Sequence, residues 1–105
     1  MIDVNDNNFS DEVLNFDGTV FVDFWAEWCG PCRVMTPKFK KANEEFGSDS
    51  VKFVKYEAGA EGCQDKVSEY NVRGIPTFLA VSGGKVIDTM VGAGDLQAFV
   101  TKNIC

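Results

Sequence analysis

The chain has 105 residues, of which 45% are hydrophobic and 25% charged, so the composition predicts a single soluble globular domain over residues 1–105. Sixteen acidic and ten basic residues give a net charge of −6, which argues against nucleic-acid binding because phosphates require a basic surface. Residues 1–6 lack a secretory signal, and no apolar run approaches the roughly 20 residues of a membrane helix, so we expect a cytoplasmic protein without membrane contact.

The hydrophobic pattern predicts alternating strands and helices in the first half of the chain. A short edge strand at residues 1–4 precedes a helix that Asn5 or Asp6 caps. Residues 19–25 are apolar on both faces, which is typical of a buried central strand. Residues 32–46 then repeat apolar side chains at helical spacing, with the stripe formed by Val34, Met35, Phe39, Ala42 and Phe46.

The second half of the chain continues the alternation and ends in a hairpin and a helix. The pattern predicts a strand at residues 51–56 and a helix at 64–70. Two strands follow at residues 77–81 and 85–91, and a last helix begins at residue 96. Gly83-Gly84 predicts the hairpin turn, and Asp95 predicts the N-cap of the last helix. The order βαβαβαββα predicts an α/β fold with a mixed central sheet and helices on both faces.

Cys29 and Cys32 stand three positions apart in the stretch Trp-Ala-Glu-Trp-Cys-Gly-Pro-Cys, and three chemistries compete for them. A zinc site needs two further ligands, but the chain has no histidine, and Cys63 and Cys105 do not form a second close pair. A structural disulfide between residues three apart removes little entropy from the unfolded chain, and structural disulfides are rare in the cytosol. We therefore expect no metal and favour a reversible redox pair.

The surroundings of the pair support redox chemistry. The predicted strand ends near Trp28 and the helix begins near Cys32, so Cys29 should lie at a helix N-terminus, which favours a thiolate. Gly30 would permit the tight turn, and Pro31 would begin the helix where its missing N–H is not needed. Cys32 is close enough in sequence to resolve a mixed disulfide intramolecularly.

Three segments together resemble the thioredoxin family over essentially the whole chain: residues 24–32, Gly74-Ile-Pro-Thr77 and Val91-Gly-Ala93. The resemblance implies a thioredoxin-like three-layer fold, in which four helices flank a five-stranded mixed sheet. It implies a protein-disulfide reductase in which Cys29 is the exposed nucleophile and Cys32 is the buried resolving thiol. The expected cofactor is this internal dithiol alone, since NADPH acts indirectly through a thioredoxin reductase.

Asp23 lies within the apolar strand, where a carboxylate is unexpected. The resemblance implies that it handles the proton of Cys32. Many members of the family place a lysine near this carboxylate, at positions that are Phe53 and Thr36 in our alignment. We therefore expect Asp23 to lack a close cationic partner, so that desolvation raises its pKa toward neutrality.

The resemblance also implies a surface that binds client proteins. Pro76 matches the cis-proline of the family, and the backbone of Ile75 would pair with an extended client segment. Trp28, Gly92 and Ala93 would complete the groove. The expected partners are disulfide-containing client proteins and thioredoxin reductase.

The two remaining thiols carry weaker expectations. Cys63 is either a bystander or a regulatory thiol, and we favour the bystander. Cys105, the last residue, is also a possible regulatory thiol. We expect a monomer that either thiol would link into a disulfide-bonded dimer under oxidising conditions.

Two other functions remain open at this point. One is a disulfide oxidase or isomerase, although such relatives usually carry histidine between the cysteines, where this chain has Gly30-Pro31. The other is a structural subunit of a larger complex, for which the thiols are incidental.

Overall fold

The computed structural model describes residues 1–104, which contain one five-stranded sheet in the order β1-β3-β2-β4-β5. Its strands are Ile2–Val4 (β1), Thr19–Trp25 (β2), Val51–Glu57 (β3), Thr77–Ser82 (β4) and Lys85–Val91 (β5). β3 pairs in parallel with β1 and β2, whereas β4 is antiparallel to both β2 and β5. The sheet is therefore mixed, as the sequence predicts.

Helical segments within residues 1–104 follow the predicted order. They are a π-helical turn at Ser10–Leu14 and three α-helices, Gly30–Phe46 (α1), Asp65–Glu69 (α2) and Leu96–Asn103 (α3). The first segment is π-helical because the N–H of Asn15 donates to the carbonyl of Ser10, five residues earlier. None of the helices in this part of the chain is long and apolar enough to cross a membrane.

The two candidate caps near the N-terminus act at different places. The side chain of Asn5 accepts hydrogen bonds from the backbone N–H groups of Asn7 and Asn8, so it caps the local turn. The carboxylate of Asp6 instead accepts from Gln64 and Asp65 at the start of α2. Asp6 therefore joins the N-terminal segment to α2. This contact could not be predicted from local patterns, because the residues are far apart in the sequence.

The core lies on both faces of the sheet, because the side chains of β2 alternate between them. Val20, Val22 and Phe24 pack in the cluster beneath the π-helical turn and α2. Phe21 packs on the opposite face with residues of α1 and α3, in a cluster that includes Met35, Phe39, Phe53, Phe78 and Phe99. The molecule thus has three layers, which agrees with the predicted fold.

The expectation that Val34 belongs to the buried stripe of α1 is wrong, since its side chain is 57% exposed. Met35, Phe39 and Ala42 follow the spacing i, i+4 and i+7 and form the buried face. Val34 lies about 100° around the helix from Met35 and is directed away from the sheet.

Candidate functional site

The connection between β2 and α1 places the cysteine pair at one end of the sheet. The strand ends at Trp25 rather than near Trp28, and the helix begins at Gly30 rather than near Cys32. Cys29 is therefore the N-cap residue of α1, where its Sγ accepts a hydrogen bond of 3.2 Å from the N–H of Cys32. The predicted location of Cys29 at a helix N-terminus is confirmed.

The two cysteines form a disulfide, with 5.3 Å between their Cα atoms. Cys29 is 5% exposed and Cys32 is 1% exposed. The expectation that Cys29 is exposed is thus wrong in extent, although it is the more accessible of the two. Its burial arises because it packs with Ala26 and Ile75, and its Sγ lies 3.6 Å from the carbonyl oxygen of Ile75.

Gly30 does not play the conformational part expected of it. Its φ is outside the left-handed region, and a Cβ added to it would meet no atom within 4 Å. The chain reverses before this residue, at Ala26–Cys29, where the N–H of Cys29 donates to the carbonyl of Ala26 at 3.2 Å. Pro31 lies in the first turn of α1, as predicted.

Asp23 lies on the α1 side of the sheet, because it shares a face of β2 with Phe21. It is two residues closer than Phe21 to the cysteine end of the strand. Cys32 is one helical turn closer than Met35 to the same end of α1, and both belong to its buried face. Asp23 and Cys32 therefore both belong to the layer between the sheet and α1, toward the end that carries the disulfide.

The carboxyl group of Asp23 is buried, with 1% of the residue exposed, and its Oδ1 has no hydrogen-bond partner among residues 1–104. Desolvation raises the pKa of Asp23 from 3.8 to about 7, and the positive charge of Lys55 offsets part of that rise. Asp23 therefore changes its protonation state near neutral pH.

The cation nearest to Asp23 is Lys55, at a position that our alignment did not give for the lysine of the family. In the parallel pairing of β2 with β3, Asp23 is in register with Lys55, whereas Phe53 is in register with Phe21 and stacks on it at 5.1 Å between ring centroids. The Nζ of Lys55 lies 4.1 Å from the ring centroid of Trp25, and none of the salt bridges within residues 1–104 involves Asp23. Thr36, the other aligned position, donates its hydroxyl to the carbonyl of Cys32 at 2.9 Å.

Ile75, which precedes Pro76, packs against the cysteine pair. The Ile75–Pro76 peptide bond is cis, in agreement with the implied cis-proline. The hydroxyl of Thr77 donates to the carbonyl of Gly74, which holds the turn against the start of β4. The carbonyl of Ile75 thereby lies beside the Sγ of Cys29.

An open groove of about 560 Å³ begins next to the disulfide. Its lining includes two expected residues, Trp28 and Ile75, and Trp28 is 78% exposed. The sequence interpretation missed the other lining residues, which are Ala58, Gly59, Gln64, Val67, Val72, Arg73 and Gly74. The adjacency of Arg73-Gly74 to Ile75 in the sequence was the one available signal.

Gly92 and Ala93 do not line this cavity, and their expected part in the client surface stays a prediction. Gly92 instead reaches the site through Pro76, to whose carbonyl its N–H donates at 2.8 Å. Its φ of +85° suits glycine, since a side chain would strain this backbone conformation. The exposed Ala93 follows it on the same loop.

Cys63 is a free, buried thiol whose Sγ lies 3.6 Å from the carbonyl oxygen of Val4. Desolvation, together with the negative charges of Asp6 and Glu57, raises the pKa of Cys63 above its ordinary value. Both burial and the raised pKa reduce the reactivity of the thiol. Cys105 lies outside the described residues.

No group of three or more His, Cys, Asp or Glu side chains within residues 1–104 is placed to hold a metal ion. The site instead combines a disulfide at a helix N-terminus, a buried carboxylate that titrates near neutral pH and a groove beside the more accessible sulfur. These features define the class of thiol–disulfide exchange proteins.

Comparison with known proteins gives the family. The thioredoxin family model matches residues 1–103. The chain is 36% identical to thioredoxin C-2 of Corynebacterium nephridii and 38% identical to a thioredoxin of Pseudomonas aeruginosa, in each case over 99% of this chain and 96% of the relative. It is 42% identical to a thioredoxin of Porphyra purpurea over 86% of this chain and 81% of that protein.

The chain belongs to the thioredoxin family. It is a thiol–disulfide oxidoreductase of the protein-disulfide reductase type, with Cys29–Cys32 as its redox-active disulfide. Proteins of this family act on disulfide-containing client proteins and are recycled by a reductase.

Proposed function

We propose that the protein reduces client disulfides with Cys29 as the nucleophile and Cys32 as the resolving thiol. The observation that carries this assignment is the placement of Cys29 as the N-cap of α1, with the more deeply buried Cys32 one turn inside the helix.

In the first step, the Cys29 thiolate attacks one sulfur of the client disulfide. A bond forms between Cys29 and that sulfur, the client S–S bond breaks, and the released client thiolate takes a proton. The Cys32 N–H that donates to Cys29 Sγ and the unpaired N–H groups of the first turn of α1 stabilise the negative charge on Cys29. The slight exposure of Cys29 admits the client sulfur, whereas Cys32 is shielded from it.

In the second step, Cys32 attacks the Cys29 sulfur of the mixed disulfide. The Cys29–Cys32 bond forms, the bond between Cys29 and the client sulfur breaks, and that client sulfur leaves as a thiolate and is protonated. The protein dithiol is oxidised by two electrons and the client disulfide is reduced by two electrons.

Asp23 accepts the proton that Cys32 loses in this second step. A carboxylate serves as a general base near pH 7 when its pKa lies close to that value, and desolvation raises the pKa of Asp23 to about 7. Lys55 acts through Asp23, because its positive charge limits the rise in the pKa of Asp23 and keeps a fraction of that carboxyl group ionised.

The client approaches over the surface formed by Trp28 and Ile75, and the buried Pro76, joined to Ile75 by a cis peptide bond, supports this surface from below. The carbonyl of Ile75 lies beside Cys29 Sγ and would accept a hydrogen bond from an extended client backbone, which aligns the client sulfur with Cys29. Gly30 is exposed next to Cys29 and has no side chain, so it leaves space for the client to approach Cys29.

The dithiol is the only redox group in this proposal, and a thioredoxin reductase restores it with electrons from NADPH. The protein acts in the cytoplasm as a monomer, without nucleic acid or membrane partners. A dimer linked through Cys63 is disfavoured by the burial of that thiol, whereas a dimer linked through Cys105 is left as a sequence-based expectation.

The experiment that tests this function is reduction of a disulfide-bonded reporter protein with NADPH and thioredoxin reductase. Replacement of Cys29 by Ser should abolish turnover, whereas Cys63→Ser, which removes a different thiol, should keep the rate of the unmodified protein. Turnover that survives Cys29→Ser would disprove the assignment.

A further inference from the structure

The groove beside the disulfide has an apolar surface with a single charge. Trp28, Val67, Val72 and Ile75 supply its large apolar side chains. Arg73 is the one charged residue among those that line the groove in the described structure. A segment that fills the groove therefore meets apolar side chains first and a guanidinium at one defined place.

The guanidinium of Arg73 has no acidic partner within residues 1–104. Its Nε donates to the side-chain oxygen of Asn71 at 3.1 Å, and the salt bridges in this part of the chain join other residues. Arginine has five N–H donors in a planar fork that suits a carboxylate. The neutral contact with Asn71 fixes one donor and leaves the remaining ones without a charged partner.

The sequence spacing between Arg73 and Ile75, which contacts the reacting sulfur, indicates where a client carboxylate would meet Arg73. Cys29 Sγ is beside the carbonyl of Ile75, and Arg73 lies two residues before Ile75. A client strand paired with Ile75 advances about 3.3 Å per residue. Residues 73–76 precede β4 and are not part of a strand, so we place the client carboxylate two residues from the target cysteine on the sequence spacing of Arg73 and Ile75 alone.

We propose that Arg73 is a specificity-determining residue: it selects extended client segments that carry an apolar side chain for the groove and a carboxylate two residues from the target cysteine. The inference rests on the proposed function and adds the chemistry of the preferred client. It also opposes the overall charge of the chain, because a net charge of −6 alone would favour basic clients.

The attraction between Arg73 and a client carboxylate acts over a shorter distance than the field of the net charge. At 0.15 M salt the Debye length is about 8 Å, so distant charges are largely screened while a paired carboxylate and guanidinium still interact. An exposed pair of this kind corresponds to a preference of roughly 1.5- to fivefold. At 1 M salt, where the Debye length is about 3 Å, the preference should shrink toward unity.

The test uses disulfide-linked dimers of one short peptide with leucine next to the cysteine. Glu, Gln or Lys occupies the position two residues before the cysteine in one set and two residues after it in another. The protein is reduced beforehand and mixed with each dimer in a single turnover, so that recognition by a reductase does not enter. Peptide thiols are counted after an acid quench.

The expected rate order is Glu above Gln above Lys in at least one of the two sets, with Glu faster than Gln by roughly 1.5- to fivefold. Arg73→Gln should make the Glu and Gln peptides equal in rate, and Arg73→Glu should reverse the order. Lys85→Gln is the matched control. It removes the same charge at the far end of the sheet, where Lys85 pairs with Ser82, and should keep the preference.

The outcomes separate this inference from the function on which it rests. If no peptide is reduced, the proposed function fails. If all peptides are reduced but wild-type protein shows no preference for Glu in either set, or if Arg73→Gln retains that preference, then the assignment of Arg73 is overturned while the reductase function stands.

Discussion

Replacement of Asp23 by Asn removes a buried carboxyl group with almost no change in shape, and it should make the protein more stable at alkaline pH. The carboxyl group is buried and its Oδ1 has no hydrogen-bond partner within residues 1–104, so its ionised form is poorly solvated. Asn carries no charge at any pH. The two proteins should therefore differ in how stability depends on pH.

The magnitude follows from the pKa of Asp23, which folding raises from 3.8 to about 7. Between these values the folded protein keeps a proton that the unfolded chain releases, so wild-type stability falls relative to Asp23→Asn as pH rises from about 4 to about 7. Above pH 7 the difference levels off. A rise of about three pKa units at about 1.4 kcal/mol each corresponds to about 4 kcal/mol at the plateau, as an upper value.

The assay is urea unfolding of both proteins in the disulfide form at several pH values from 4.5 to about 9, with the free energy of unfolding as the readout. Any constant effect of the amide cancels in the pH dependence. Asp3→Asn, which changes an exposed carboxylate on β1, is the control and should follow the wild-type curve. A difference between Asp23→Asn and wild type that changes by less than about 1 kcal/mol over this range would refute the reasoning.

Three further predictions follow from the packing and the hydrogen bonds. Asp23→Asn should slow resolution of the mixed disulfide at pH 7 by at least about tenfold, with a smaller deficit at higher pH, measured as decay of the trapped intermediate; an unchanged pH profile would exclude Asp23 as the base. Phe39→Ala should cost about 3–5 kcal/mol in urea unfolding because its ring is fully buried, whereas the exposed Val34→Ala should cost less than about 0.5 kcal/mol, and equal costs would contradict the packing. Asp6→Ala should cost about 1–2 kcal/mol because Tyr56 and the N-terminus of α2 lose an acceptor. Burial raises the pKa of Asp6, but the hydrogen bonds outweigh burial and bring the pKa below its ordinary value. The stabilisation by Asp6 should therefore be present above about pH 4 and lost as pH falls through the folded pKa. A cost of Asp6→Ala that persists in acid would contradict this.

The elements of the fold were predictable because each has a local signal. β2 is apolar on both faces apart from Asp23, as expected for a strand buried on both faces, and the hairpin turn has positive φ at both Gly83 and Gly84. The π-helical form of Ser10–Leu14 was not predictable, because it differs from an α-helix only in the residue to which each N–H donates.

The cysteine pair and Ile75–Pro76 were predictable because their motifs are contiguous in the sequence. Lys55 was not, because its relation to Asp23 depends on the register of two strands about 30 residues apart in the chain. The same holds for Arg73 and the apolar lining from the region of α2, which the fold brings to Trp28 from a distant part of the sequence. Local patterns thus locate the reacting sulfurs, whereas tertiary packing sets the carboxylate environment and the client surface.

The most direct test of the account is to trap the mixed disulfide with a client protein. Purified Cys32→Ser protein should accumulate a covalent adduct with a disulfide-bonded client, and mass spectrometry should assign the bond to Cys29. Cys29→Ser should form no such adduct, because Cys32 is shielded behind Cys29. Adducts formed through Cys32 in Cys29→Ser, or through Cys63 in either variant, would contradict the proposed order of attack.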